Sequence, residues 1–242
     1  MNGRTIQKEI EVKTVDRGSI DTGNHSMPLC EIELELQRGK LADLFDVARE
    51  LTRTLPARIA VKSKSQRGYE LIDGTQDAPV KGTAIDLQLD AITRDAFRTI
   101  GIACLGQIIG NEPAVLRDDP EGVHQMRVGL RRLRAGMSLF SRLLRDPQAA
   151  AIKSELKWLA AELGPARELE VLVNRVIAPI KKQRVPWEGV PSLGQQVTKK
   201  RKAAVTRGKN AVNSARFRAL TLELAAWLQA GQWTMPQDAG AA

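Results

Sequence analysis

The folding options of this chain are narrowed most by the stretch His124-Gln125-Met126-Arg127-Val128-Gly129-Leu130-Arg131-Arg132-Leu133-Arg134. At ~100° per residue it winds into a helix with two adjoining stripes. Met126, Leu130, Leu133, Met137, Phe140 and Leu144 form an apolar arc. His124, Arg127, Arg131 and Arg134 flank that arc, Arg142 and Arg145 continue the flank, and Arg132 points elsewhere. Such a helix packs along one side and holds a row of guanidinium groups at the edge of the contact, over ~30 Å at ~1.5 Å per residue. Cations this close repel one another unless an anion sits among them, and a long, flexible polyanion suits the row. A charge run is ordinarily a solvated face. Here it borders the apolar arc instead of opposing it, and almost no acid interrupts it for i,i+4 pairing. The reading is therefore a binding groove between helices.

Charge supports that reading and locates it. Residues 1–80 hold 12 basic and 13 acidic side chains, whereas residues 81–242 hold 25 basic and 15 acidic. An acidic partner thus belongs to the second part. Aromatic residues make up only 4% of the chain, too few to stack bases, so phosphate without nucleobase is expected and nucleic acid is not. Cys30 and Cys104 have no metal-type neighbours and read as buried free thiols, which suits a reducing cytoplasm. No signal peptide is evident. The longest apolar run, residues 100–109, is short of membrane length, so no membrane partner is expected.

The pattern changes along the chain. Glu9–Lys13 and Glu31-Ile32-Glu33-Leu34-Glu35-Leu36 alternate at period two, which predicts strands. Turns are expected at Asp16-Arg17-Gly18 and Asp21-Thr22-Gly23-Asn24. Leu41, Leu44, Phe45, Ala48, Leu51 and Leu55 predict a helix stopped by Pro56. Residues 59–61 and 68–71 read as short strands about a polar turn. From 73 to 85, glycines, a proline and small polar residues suggest a linker. Helices are then predicted over 86–110, 121–145, 148–163, 165–183, 193–212 and 214–230. Pro120, Pro147 and Pro165 sit in first turns, and Gly110 and Gly164 at helix ends. The segment 185–194 breaks the array, and the residues from Pro236 onward read as frayed.

Further candidates flank the stripe. Lys199-Lys200-Arg201-Lys202, Arg207, Lys209, Arg216 and Arg218 form a second basic zone that can wall the same groove. Glu31, Glu33 and Glu35 fall on one strand face and repel unless they face a divalent metal or a basic wall. Lys62, Lys64 and Arg67 are the candidates for that wall, and an exposed edge strand guarded by charge is the plainer explanation. There is no Gly-rich phosphate loop, no Ser/His/Asp set and no zinc spacing, and the two histidines, His25 and His124, lie in different parts. No catalytic residue can be assigned.

Taken together, His124-Gln-Met-Arg127-Val-Gly-Leu-Arg131-Arg132-Leu-Arg134, Leu156-Lys-Trp158-Leu-Ala and Leu163-Gly-Pro-Ala-Arg167-Glu-Leu resemble the CHAD domain, an all-helical family named for its histidines. Pro28-Leu29-Cys30-Glu31-Ile-Glu33-Leu-Glu35-Leu with Ser63-Lys64-Ser-Gln-Arg67-Gly68-Tyr69 resembles the later strands of a CYTH domain, a triphosphate-tunnel fold. The order CYTH then CHAD is that of bacterial inorganic triphosphatases. The resemblance implies an α+β partial CYTH β-tunnel over residues 1–72, a linker over 73–85, and the first half of a CHAD helical domain over 86–235. It implies binding of inorganic polyphosphate or triphosphate by His124, Arg127, Arg131, Arg134, Arg142, Arg216, Arg218, Lys64 and Arg67. It implies Mg²⁺ or Mn²⁺ on Glu31, Glu33 and Glu35 where the CYTH part functions. The earlier tunnel strands, the basic residues they carry and the second CHAD bundle find no match, so triphosphatase activity is expected to be weak or lost. Half a tunnel and half a helical domain leave surfaces for a second copy, and a homodimer completing the site is the first rival. A nucleic-acid or acidic-protein binder and a fragment without function are the others.

Overall fold

The computed structural model describes residues 9–182 and 190–234. An antiparallel hairpin of β1 (Glu9–Asp21) and β2 (Ser26–Arg38) opens it, followed by α1 (Leu41–Thr54) and α2 (Lys64–Asp73). Then come α3 (Thr93–Gly110), α4 (Glu112–Leu116), α5 (Pro120–Leu139), α6 (Pro147–Leu172), α7 (Ala178–Lys182), α8 (Val190–Val212) and α9 (Ala215–Ala230). The expected α+β start and helical remainder are both present. A tunnel is not: the described sheet has two strands.

The hairpin register sets its two faces. Asp16 pairs with Glu31 and Thr14 with Glu33, so the acidic side chains share one face, while Val15 pairs with Ile32 and Val12 with Leu34 on the other. The turn expected at residues 21–24 is there, with Gly23 at φ +74 and the Thr22 amide donating to the His25 carbonyl. The turn expected at 16–18 is instead strand, because both residues flanking Arg17 stay in the ladder. Residues 59–61 and 68–71 are not strands. Ser63 accepts from the Gln66 amide and caps α2, which absorbs 68–71, and Gly74 closes that helix in the left-handed conformation. Cys30 is exposed on the hairpin, contrary to expectation, whereas Cys104 is buried in the helical core and its thiol is pushed up by that burial.

The helical core forms where α5 packs against α3 and α6, with α9 closing over α3 and α6, and α8 lying along α6. Met126, Leu130, Leu133 and Met137 are fully enclosed, as the arc required. Phe97, Phe140, Trp227 and Trp233 cluster at one end, with ring centroids 5.1–5.8 Å apart. Helix α5 ends at Leu139, so Phe140 and Leu144 reach the core from a turn, and Arg142 and Arg145 are exposed there instead of continuing the stripe. The predicted break at Gly164-Pro165 is absent: α6 runs through Pro165 into a π-turn, Val173–Ile177. The bond Pro165 cannot make would go to Ala161, which is exposed, so the loss falls on the outside of the helix. Pro120 and Pro147 begin their helices as expected.

The first long helix starts at Thr93, not near 86, and residues 75–92 cross the bundle without helix or strand. They are docked, not free. The fully buried Asn111 accepts from the Val80 amide at 2.9 Å and donates to the Val80 carbonyl at 2.8 Å and the Gln107 carbonyl at 2.7 Å. Arg132, which strays from the stripe, reaches Gln107 at 3.1 Å and the Thr83 carbonyl at 3.2 Å. Residues 93–116, with α4 extending α3, are long and apolar enough to cross a membrane, contrary to the sequence reading, and 61% of the qualifying window is buried within the bundle. Of the expected break over 185–194, residues 190–194 instead belong to α8, and the rest lies outside the described residues, as does the end from 236 that reads as frayed.

Asn111→Ala is expected to cost about 1–3 kcal/mol in denaturant unfolding, since it strands the Val80 amide and carbonyl, and to raise hydrogen exchange at Val80.

Candidate functional site

Two charged constellations stand out, and they differ in how their charge is answered. The first is on the hairpin. Lys64, on the first turn of α2, donates to Asp16, to Glu31 at 2.9 Å and to Glu33 at 2.9 Å. Arg67, one turn on, pairs with Glu31. The Lys64 ammonium is held firmly protonated by these carboxylates, and Glu31 is pulled below the usual carboxylate range chiefly by its bond from Lys64, against its partial burial. Asp16, Glu31 and Glu33 can bring oxygens within 4.8 Å of one another. That would suit a hard cation, but the Lys64 ammonium already fills the cradle, so these residues do not fit a metal as they stand. Glu35 lies outside it and pairs with Lys13 at 3.1 Å. Lys62 is not part of the wall; it turns to Glu70 at 2.7 Å.

The second constellation is the flank of α5. His124 and Arg127 are half-buried at the crossing with α6, and Arg131 and Arg134 are exposed. Arg127 donates to the Ala160 carbonyl at 3.0 Å, which fixes its position between the helices. The Arg127 guanidinium lies over Gly164, with Nη1 3.4 Å from where a Cβ would stand. Burial pushes the His124 imidazole below its ordinary pKa, and Arg167, Arg131 and Arg127 push the same way against Glu121. His124 therefore stands among three arginines, one of them, Arg167, contributed by α6. No described carboxylate pairs with Arg131, Arg134 or Arg167. Arg167 was not among the residues singled out from sequence as binding, although it lies in the quoted Gly-Pro-Ala-Arg segment. Its role depends on α6 continuing past Pro165, which the proline signal concealed.

Of the second basic zone, Lys199, Lys200 and Lys202 pair with no described carboxylate, whereas four other members are neutralised. Acids of α6 do most of this: Glu162 holds Arg207 at 2.6 and 2.8 Å, and Glu155 holds Arg216 at 2.7 and 2.9 Å. Arg216 also lies 4.1 Å from the Trp158 ring centroid. Arg201 pairs with the buried Glu170, and Lys209 with Asp118 at 3.1 Å. Arg218 donates to the Asn213 carbonyl at 3.1 Å and lies beside Arg58, at the junction with the hairpin unit. The structure thus gathers His124, Arg127 and Arg131 with Arg167. It leaves Arg142 apart on its turn, commits Arg216 to Glu155, and keeps Lys64 and Arg67 with the acids of the hairpin.

Comparison with known proteins identifies the helical part. Residues 99–242 match the model of the CHAD domain family. A crystal structure of the CHAD domain from the plant Ricinus communis superposes with a TM-score of 0.57 at 35% identity, covering 67% of this chain and 54% of that one. A protein of Haemophilus influenzae named inorganic triphosphatase is 40% identical over 65 residues, which are 27% of this chain and 18% of that protein. The chain thus spans about half of the first relative's length and less than a fifth of the second's.

Lys64→Met should loosen the hairpin by leaving three carboxylates face to face. The stabilisation from the depressed Glu31 carboxyl is present above about pH 4.5 and lost as pH falls through its folded value, so the defect should shrink in acid. Hydrogen exchange of the β1 and β2 amides at pH 7 and pH 4 reads this out. Millimolar Mn²⁺ should slow exchange in the variant and leave the parent chain unchanged.

Proposed function

The chain belongs to the CHAD family, and from that premise we propose that its helical part binds inorganic polyphosphate or triphosphate along the α5–α6 crossing. The observation that carries this reading is a set of guanidinium groups gathered about one histidine at a helix crossing, with no described acid to answer Arg131, Arg134 or Arg167. His124, Arg127, Arg131 and Arg167 form the centre of the site, and Arg134 extends it along α5. Each bond is a charge-assisted N–H···O contact to a phosphate oxygen, and the planar fork of arginine suits that geometry. Arg127 is held by the Ala160 carbonyl before any ligand arrives, so little ordering is left to lose on binding. Arg142, Arg216, Arg218, Lys64 and Arg67, candidates from sequence, fall outside this centre; their contacts are with this chain's own acids and carbonyls or with solvent.

Hydrolysis is weak or absent in this reading. The relative named inorganic triphosphatase supports kinship with phosphoanhydride chemistry, but a single hairpin offers no opposing wall to hold triphosphate against its nucleophile. Of the acids that would take Mg²⁺ or Mn²⁺, Glu31 and Glu33 hold Lys64 and Glu35 pairs with Lys13. A homodimer that supplies the missing wall is the second reading, favoured by the exposed Val12, Val15 and Ile32 on one hairpin face. Phosphate release from tripolyphosphate with Mn²⁺ separates the two: turnover abolished by Glu33→Gln would favour the dimer, and no turnover is expected.

Arg127→Ala with Arg131→Ala is expected to weaken polyphosphate binding at least tenfold, since each charged partner lost costs about 1.5–3 kcal/mol. The fold should survive, and isothermal titration with circular dichroism as control checks both. Affinity should also rise as pH falls. The free imidazole is depressed and neutral at pH 7, and a bound anion raises its pKa, so binding takes up a proton between the bound and free values. His124→Ala should flatten the profile between pH 8 and pH 5.5, leaving whatever the ligand's own phosphates contribute.

A further inference from the structure

Where the hairpin unit meets the helices lies a cavity of about 400 Å³, a size in the range of small-molecule sites. Its walls come from β2, the segment 58–62, α2, the turn at 76–77 and the corner between α3 and α4. Met27, Ile59, Val61, Ile109 and Leu116 give it an apolar body. The charges in its wall are already answered: Arg58 by Glu112, Lys62 by Glu70, Arg67 by Glu31 and Asp77 by Arg117. A charged ligand would lose its hydration there without meeting an unpaired counter-charge. Yet the wall is not satisfied. The Nε of Arg67 and the Oε1 of Gln76 are buried without a hydrogen-bond partner. Buried donors and acceptors without partners are uncommon and call for one.

We propose that this junction binds an uncharged small molecule with an apolar body and an amide-like head. The head accepts from Arg67 Nε and donates to Gln76 Oε1, while the body lies against Leu116 and Ile109. None of these residues belongs to the α5 stripe, so the site is separate from the anion site proposed above. Because its walls belong to both parts of the chain, an occupant also ties the hairpin unit to the helices.

Three probes sharing one ring distinguish the chemistry: benzamide, benzoate and toluene. The methyl-¹³C spectrum of the methionines reports occupancy, since Met27 lines the cavity while Met126 and Met137 are sealed in the helical core and report an intact fold. Benzamide should shift the Met27 signal saturably and leave Met126 and Met137 unmoved; benzoate and toluene should bind at least tenfold more weakly. Gln76→Leu should weaken benzamide about tenfold, roughly the loss of one buried hydrogen bond, and Leu116→Trp should abolish the shift by filling the space. Polyphosphate should leave Met27 unmoved. The proposal is overturned if benzamide gives no saturable Met27 shift, which means a cavity filled by water alone. It is equally overturned if benzoate binds as well as benzamide, or if neither substitution changes the shift.

Discussion

Burial of one face of α5 is the constraint on which the rest of the helical part depends. Met126, Leu130, Leu133 and Met137 have no exposure to lose, and truncating any of them to Ala would open a cavity costing about 2–5 kcal/mol. With that face enclosed between α3 and α6, the flank is not free to rotate into solvent. His124 and Arg127 are placed at the α5–α6 crossing, and the bond from Arg127 to the Ala160 carbonyl locks the arrangement. The anion site is thus a consequence of packing: the same helix that closes the core delivers the cations to its rim.

Charge compensation divides the molecule. On the hairpin, the acids meet Lys64, Arg67 and Lys13. On α6, α8 and α9, arginines meet Glu155, Glu162 and Glu170. Surface pairs of this kind contribute little each to stability, about 0–1 kcal/mol, but they remove cations from the pool available to a ligand. Around His124, Arg131 and Arg167 the cations stay unanswered and stand close enough to act on one imidazole. Counting basic residues along the sequence overstates the binding surface, because half of the second basic zone, Arg201, Arg207, Lys209 and Arg216, is spent on this chain's own acids.

Most of the helical architecture was legible in the sequence, because amphipathic period and first-turn prolines act locally. The arc on α5, the caps at Pro120 and Pro147 and the end of α3 at Gly110 all follow from nearest neighbours. Three features did not. Pro165 reads as a boundary, yet its missing bond falls on the exposed side of α6 and the helix carries on, which brings Arg167 beside His124. Residues 68–71 read as a strand beyond a polar turn, whereas Ser63 and Gly74 bracket a helix there. The segment 75–92 reads as a loose linker because its anchors, Asn111 and Arg132, lie dozens of residues away. Of the candidate site, the α5 residues were visible and their α6 partner was not, since it depends on a tertiary crossing.

The central claim is that unpaired guanidinium groups on the α5–α6 rim bind polyphosphate electrostatically. Its most direct test is the affinity for long-chain polyphosphate measured at increasing KCl, for example by isothermal titration from low to physiological ionic strength and beyond. Bringing several guanidinium groups onto phosphates releases bound ions, so log affinity should fall steeply and linearly with log salt, by roughly 0.7 for each phosphate contacted. An affinity that stays flat as salt rises would contradict the account.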